Sequence, residues 1–175
     1  MNTFIALIRG INVGGHKKIF MADLKLLFES LGFEQVTTYI QSGNVVFSSE
    51  KKVNLANKIA EAIEIKYGFK VPVLVKKGSE LSEILSKCPF SDEKREKSYF
   101  ILLKESPSQE NIELTSGFSN PNEEFYIEGD CVYIFYSEGA GKAKMGNNFF
   151  EKKLKVIATA RNFRTMTKLL TLANS

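Results

Sequence analysis

The stretch Arg9-Gly10-Ile11-Asn12-Val13-Gly14-Gly15-His16-Lys17-Lys18 gathers three glycines, an asparagine, four cations if the histidine is counted, and the chain's only histidine. Glycines let backbone N–H groups approach a ligand closely, and lysine and arginine favour an anion. Backbone amides at Gly14 and Gly15 could cradle a phosphate or carboxylate, with Arg9 and Lys17 neutralising it. Asn12 has the donors and acceptor to fix orientation. A second polar, glycine-bearing segment, Gln41-Ser42-Gly43-Asn44, offers amides of the same kind. Neither segment is a known phosphate fingerprint: Gly10, Gly14 and Gly15 do not have G-x-G-x-x-G spacing. His16 could serve as a general acid or base, because histidine titrates near neutrality. An exposed loop histidine without a catalytic role is the more common case.

Other chemistry is sparser. Gly139-Ala140-Gly141-Lys142 is not a Walker A loop, because Tyr136 stands where that motif needs its first glycine. Arg161, Asn162, Thr165 and Lys168 surround the start of a last helix, with Asn162 as its expected N-cap and Arg161 just outside. An anion there would gain from the helix dipole. One histidine and two separated cysteines supply no metal-ligand set, no serine sits in a G-x-S-x-G elbow, and no cofactor fingerprint is present.

The elements that must position these residues follow from periodicity. Residues 3–8 form a continuous apolar run, the pattern of a strand covered on both faces. Met21, Leu24, Leu27, Phe28 and Leu31 recur at helical spacing before Gly32. Residues 36–41 and 44–48 are strand-like across Ser42-Gly43, a two-residue hairpin signal. Leu55, Ile59, Ala62, Ile63 and Ile65 mark a second helix ending at Gly68, and 71–75 is a fourth strand. This β-α-β-β-α-β order is that of the ferredoxin-like fold.

The second half repeats the order. A linking helix over 79–88 precedes a strand over 99–103 and a weak helix over 109–115. A hairpin over 124–127 and 131–136 turns at Gly129-Asp130. A helix over 147–154, a short strand over 156–159 and a terminal helix over 163–172 complete it. The expected architecture is α+β: two ferredoxin-like (βαββαβ) repeats packed together, 1–77 and 78–175. In such a sheet the first and second strands run parallel, with the third between them. The Arg9–Lys18 loop and the Gln41–Asn44 turn should therefore meet at one sheet edge.

Composition places limits on function. The net charge is only +4, so the chain is no polycation, but residues 105–139 carry eight acids and no Lys or Arg, and residues 140–175 carry eight bases and one acid. A basic C-terminal surface for an anionic partner is one reading. Mutual neutralisation of the two blocks, or simple solvation, is the more usual one. Cys88 and Cys131 make no C-x-x-C pair and read as buried thiols of a reducing compartment. The apolar N-terminal run is too short for a signal peptide or membrane span, so a cytoplasmic protein without membrane partners is expected.

The same motifs carry a family resemblance. Arg9-Gly10-Ile11-Asn12-Val13-Gly14-Gly15, with Lys18, Met21 and Leu24, resembles the opening of the bacterial "domain of unknown function 1697" family. Tyr39-Ile40-Gln41-Ser42-Gly43-Asn44-Val45-Val46-Phe47 resembles its second signature. Thr159-Ala160-Arg161-Asn162-Phe163-Arg164-Thr165, with Lys168-Leu169, resembles its C-terminal one. The resemblance implies the duplicated ferredoxin-like architecture and no established activity. The chain departs from the family pattern at Ala143-Lys144-Met145, where members often have Ser-Lys-Leu. It departs again at Phe163 and Arg164, where they often have Trp and Asn.

The expected site is thus Arg9, Asn12, Gly14, Gly15, His16 and Lys17 facing Gln41, Ser42 and Asn44, with Lys144, Arg161 and Asn162 completing it from the second repeat. The favoured ligand is a nucleotide or other phosphorylated small molecule. Two alternatives stay open: an enzyme acting on such a ligand through His16, and a nucleic-acid or protein-binding module using the basic tail. RNA binding across the sheet face is disfavoured, because the first strand is apolar and the third has one aromatic. The oligomeric state is not readable from the chain.

Overall fold

A computed structural model describes residues 1–175. The residues divide into two compact units, Met1–Glu83 with Lys168–Ser175, and Ile84–Thr167. Each contains a four-stranded antiparallel sheet of ferredoxin-like strand order.

In the first unit the order along the chain is β1 (Asn2–Ile8), α1 (Met21–Ser30), β2 (Glu34–Tyr39), β3 (Asn44–Ser49), α2 (Leu55–Tyr67) and β4 (Val73–Lys77). The sheet order is β2-β3-β1-β4, with Phe4 opposite Phe47 and Ile8 opposite Val73. One face, bearing Phe4, Ala6, Ile8, Val45 and Phe47, packs with Leu24, Phe28, Ile59 and Ile63 of the two helices. Phe28, Phe33 and Phe47 meet with ring centroids 4.5–5.8 Å apart. Each such aromatic contributes about 2–3 kcal/mol by leaving water. Ile5, Leu7 and Val46 point to the other face and are buried too, which accounts for the unbroken apolar run of β1.

Two expected boundaries move. Tyr39 pairs with Asn44, so the β2–β3 connection has four residues, Ile40 to Gly43, rather than two. The β4 ladder starts at Val73 rather than at residue 71, because Pro72 has no N–H to donate and serves as acceptor for the Arg9 amide at 3.0 Å.

The second unit opens within α3 (Gly78–Ser86), continues through α4 (Asp92–Glu96), β5 (Ser98–Leu103), α5 (Gln109–Ser116), β6 (Glu123–Glu128), β7 (Cys131–Tyr136), α6 (Asn147–Leu154) and β8 (Ala158–Asn162), and ends at Thr167 within α7 (Phe163–Ala173). Its sheet order is β6-β7-β5-β8. Ile101, Leu103, Val132 and Ile134 pack against Phe150 and Leu154 of α6. The Gly129-Asp130 hairpin and the α6 span are as expected, while the five-residue α4 has no apolar periodicity to reveal it. Cys131 is buried but Cys88 is only half-buried, correcting the expectation for the latter.

The last strand departs most from expectation. It spans Ala158–Asn162 instead of 156–159, because Lys155 takes a left-handed conformation (φ 57°) at the end of α6 and delays the ladder. Arg161, expected in a loop before α7, is instead buried within β8 opposite Phe100.

Two tyrosines tie β7 to its surroundings. Tyr133 Oη donates to the Ile84 carbonyl at 2.8 Å, and Tyr136 Oη to the Met145 carbonyl at 2.9 Å. Burial, reinforced by Cys131 and Glu128 at Tyr133 and by Glu123 at Tyr136, pushes both phenols up from the ordinary value of 10.0. In the unfolded chain both ionise near that value, while the folded chain holds their protons. The stability they confer is therefore complete below pH about 10 and falls above it, by about 1.4 kcal/mol per pH unit for each ring. Ultraviolet titration followed beside circular dichroism should show these two phenolates appearing only as secondary structure is lost. Ionisation of all six tyrosines with the fold intact would contradict this.

Candidate functional site

The Arg9–Phe20 loop and the Ile40–Gly43 turn do meet at one edge of the first sheet, and Asn12 joins them. Its backbone is left-handed (φ 56°), a conformation asparagine tolerates better than most residues. Its Nδ2 donates to the Ile19 carbonyl at 3.0 Å and the Gln41 carbonyl at 2.9 Å, and its Oδ1 accepts from the Ile19 N–H at 2.8 Å. The Asn12 N–H donates to the Lys17 carbonyl at 3.1 Å, closing the loop on itself. On the turn side, the Ile8 N–H donates to Gly43 O at 2.8 Å, and Asn44 Nδ2 donates to Tyr39 O and Ser42 Oγ. Asn12 and Asn44 were expected to orient a ligand. In the structure the Asn12 amide bonds to backbone groups, and the Asn44 amide to Tyr39 O and Ser42 Oγ.

A cavity of about 330 Å³ opens beside this junction, lined by Asn12, Gly15, Lys18, Ile19, Phe20, Met21 and Gln41. Gly15 is left-handed (φ 75°), and no other atom lies within 4 Å of where its Cβ would stand, so the backbone there is open to close approach. Lys18 is exposed and forms no ion pair. Phe20, the N-cap of α1, supplies no capping oxygen, so the first N–H groups of that helix meet no side-chain cap at the cavity's apolar end.

The remaining expected residues fare differently. Lys17 sends its ammonium away, 2.9 Å from the Lys70 carbonyl and 5.9 Å above the Phe69 ring, so the cation at the cavity is Lys18. Arg9 is half-buried beside Pro72, to which its N–H donates. Gly14 is left-handed next to His16. The His16 side chain is exposed with no carboxylate or other group to orient it, which a general base ordinarily needs. Sequence reasoning missed Ile19, Phe20 and Met21 as cavity walls. Met21 reads only as the first apolar position of α1, and Ile19 and Phe20 carry no sequence signal of a ligand wall.

In the second unit, Lys144 and Arg161 lie apart. Lys144 is tethered to β6: its N–H and that of Met145 donate to the Glu123 carboxylate at 2.6 and 3.1 Å. Arg161 lies on β8, across β7 and β5. The glycine- and lysine-rich 139–145 segment thus uses its amides on the chain's own carboxylate. A smaller cavity of about 240 Å³, lined in part by Lys142 and Lys144, lies there. Arg161 donates from Nη1 to Thr159 Oγ1 and the Ala160 carbonyl, both at 2.8 Å, and burial pulls its guanidinium down to about 10. Asn162 Oδ1 accepts from the Thr165 N–H at 2.8 Å, the expected N-cap bond of α7.

The acidic and basic blocks meet in part. Lys142–Glu138 at 3.8 Å is an ion pair between them, whereas Glu124 and Glu128 pair with Lys94 and Lys87. Lys152, Lys153, Lys155, Arg164 and Lys168 form no ion pair. No three of His, Cys, Asp and Glu converge at metal-binding spacing, and no helix is long and apolar enough to cross a membrane.

Residues 1–133 match the family described as "Protein of unknown function (DUF1697)". The chain belongs to this family. The match takes in both loops of the cavity, and the Arg161 segment lies beyond it. A solved structure, that of the conserved bacterial protein SP0830 from Streptococcus pneumoniae, is similar over 98% of both chains, with 22% identity and a TM-score of 0.76. At that identity the likeness speaks for the fold. No curated protein matches the chain.

Proposed function

We propose that this protein binds a small phosphorylated molecule, of nucleotide size or less, in the cavity between the Arg9–Phe20 loop and the Ile40–Gly43 turn. The observation that carries this reading is the combination of an unpaired cation, Lys18, with an open glycine backbone at Gly15 on one cavity of about 330 Å³. Binding clefts for small ligands begin at about 300 Å³ and combine apolar walls with a few fixed polar groups. Two hydrogen-bonded loops supply the rigidity that keeps the cost of binding low.

The test is a thermal-shift and calorimetric screen against inorganic phosphate, sugar phosphates, nucleotides and short single-stranded RNA, at low and moderate salt. A ligand specific to the folded state raises the melting temperature by mass action. Lys18→Ala should weaken the responding phosphate compound about tenfold or more, since a hydrogen bond to a charged group is worth about 1.5–3 kcal/mol. An unaltered response in Lys18→Ala would overturn the reading. So would a response confined to RNA and steeply dependent on salt, which is the behaviour of a basic-surface module.

A further inference from the structure

Within that reading, on which this inference rests, we infer that the ligand is a nucleoside monophosphate, with its base against Phe20 and its phosphate at Lys18. Phe20 is 76% exposed, although the chain has ample core in which to bury a phenylalanine. Its ring stands on the wall of the cavity, between the buried Ile19 and the half-buried Met21, which also line it. An exposed aromatic ring at the mouth of a cavity is a stacking platform, and every base has a π-face to offer it. A sugar phosphate is polar on all sides and would leave the ring in water.

A second lining residue favours the same ligand. Gln41 lines the cavity and is held by its backbone carbonyl, which accepts from Asn12. Its side-chain amide makes no hydrogen bond within the chain. A glutamine amide offers a donor and an acceptor side by side, the pattern that pairs with the edge of a base. Lys18 is the only cation on the cavity wall, which suits one phosphate group rather than a triphosphate.

The experiment is calorimetry of the full chain and of Phe20→Ala, Gln41→Ala and Lys18→Ala, with nucleoside monophosphates, nucleoside triphosphates, ribose 5-phosphate, the free nucleosides and inorganic phosphate. Phe20 is exposed, so its replacement should leave the fold intact, and circular dichroism checks this. The expected result is tightest binding by a monophosphate. Phe20→Ala should weaken it about tenfold, Gln41→Ala should change the preference among bases, and neither should alter binding of inorganic phosphate. Ribose 5-phosphate binding as tightly as any nucleotide, with Phe20→Ala neutral, would overturn this inference and leave the phosphate-cavity reading standing. Free nucleosides binding as tightly as monophosphates, or no binding by any of these compounds, would overturn both.

Discussion

Gly43→Ala is expected to destabilise the first unit by about 2–5 kcal/mol, adding the left-handed strain of a non-glycine residue to the cost of overpacking. Gly43 has φ 84°, and an added Cβ would stand 2.6 Å from the Ile8 carbonyl oxygen and 2.9 Å from Ile8 Cβ. Neither atom can yield readily. Ile8 is paired with Val73 in β4, and its N–H is bound to Gly43 O itself. Gly15→Ala is the matching control: it shares the positive φ but meets open space. It should cost only about 1 kcal/mol. Urea denaturation of the two variants separates the backbone conformation from the close approach. Equal midpoints would show that contact with Ile8 adds nothing.

Asn12→Ala should cost about 2–4 kcal/mol, because it removes three hydrogen bonds and places alanine in a left-handed conformation. The three bonds run to Ile19 O, Ile19 N and Gln41 O, so one side chain ties its own loop to the turn. The consequence should be local as well as global. Amide exchange should accelerate in the 11–19 loop and the 40–43 turn more than in the β1–β3 ladder, and any ligand response of the cavity should fall with it. Asn12→Asp is the informative companion. It keeps the acceptor for the Ile19 N–H but turns both donors into an anion facing two carbonyls, so its loss should be comparable. An Asn12→Ala variant with wild-type stability and exchange would show that the loops hold together without it.

The roles of Asn12, Lys17 and Lys18 mark where sequence reading reached its range. Residue type and spacing identified the loop as the polar centre of the first unit, and strand order placed it against the Gln41 turn. Which of three neighbouring polar side chains faces the cavity and which faces the protein depends on a left-handed backbone at Asn12 and Lys17 (φ 56° and 48°), and no propensity scale reports that. Arg161, expected just outside the last helix, and Phe20, whose residue type carries no signal of a site, show the converse. Hydrophobicity puts phenylalanine inside and arginine outside. At Phe20 the chain enters α1 with the ring turned out, and at Arg161 strand pairing with Phe100 carries the guanidinium inward, where neighbouring oxygens receive it.

Local pattern was therefore enough for the element order apart from α4, the doubled β-α-β-β-α-β arrangement and the meeting of the two loops, because these follow from periodicity and from the fixed geometry of antiparallel strands. The cavity, its single cation and the exposed ring beside it arise from hydrogen bonds between residues far apart in the chain, such as Asn12 to Gln41 and Lys17 to Lys70. Periodicity is a property of neighbours along the chain, whereas these contacts exist only once the sheet has brought its edge loops together.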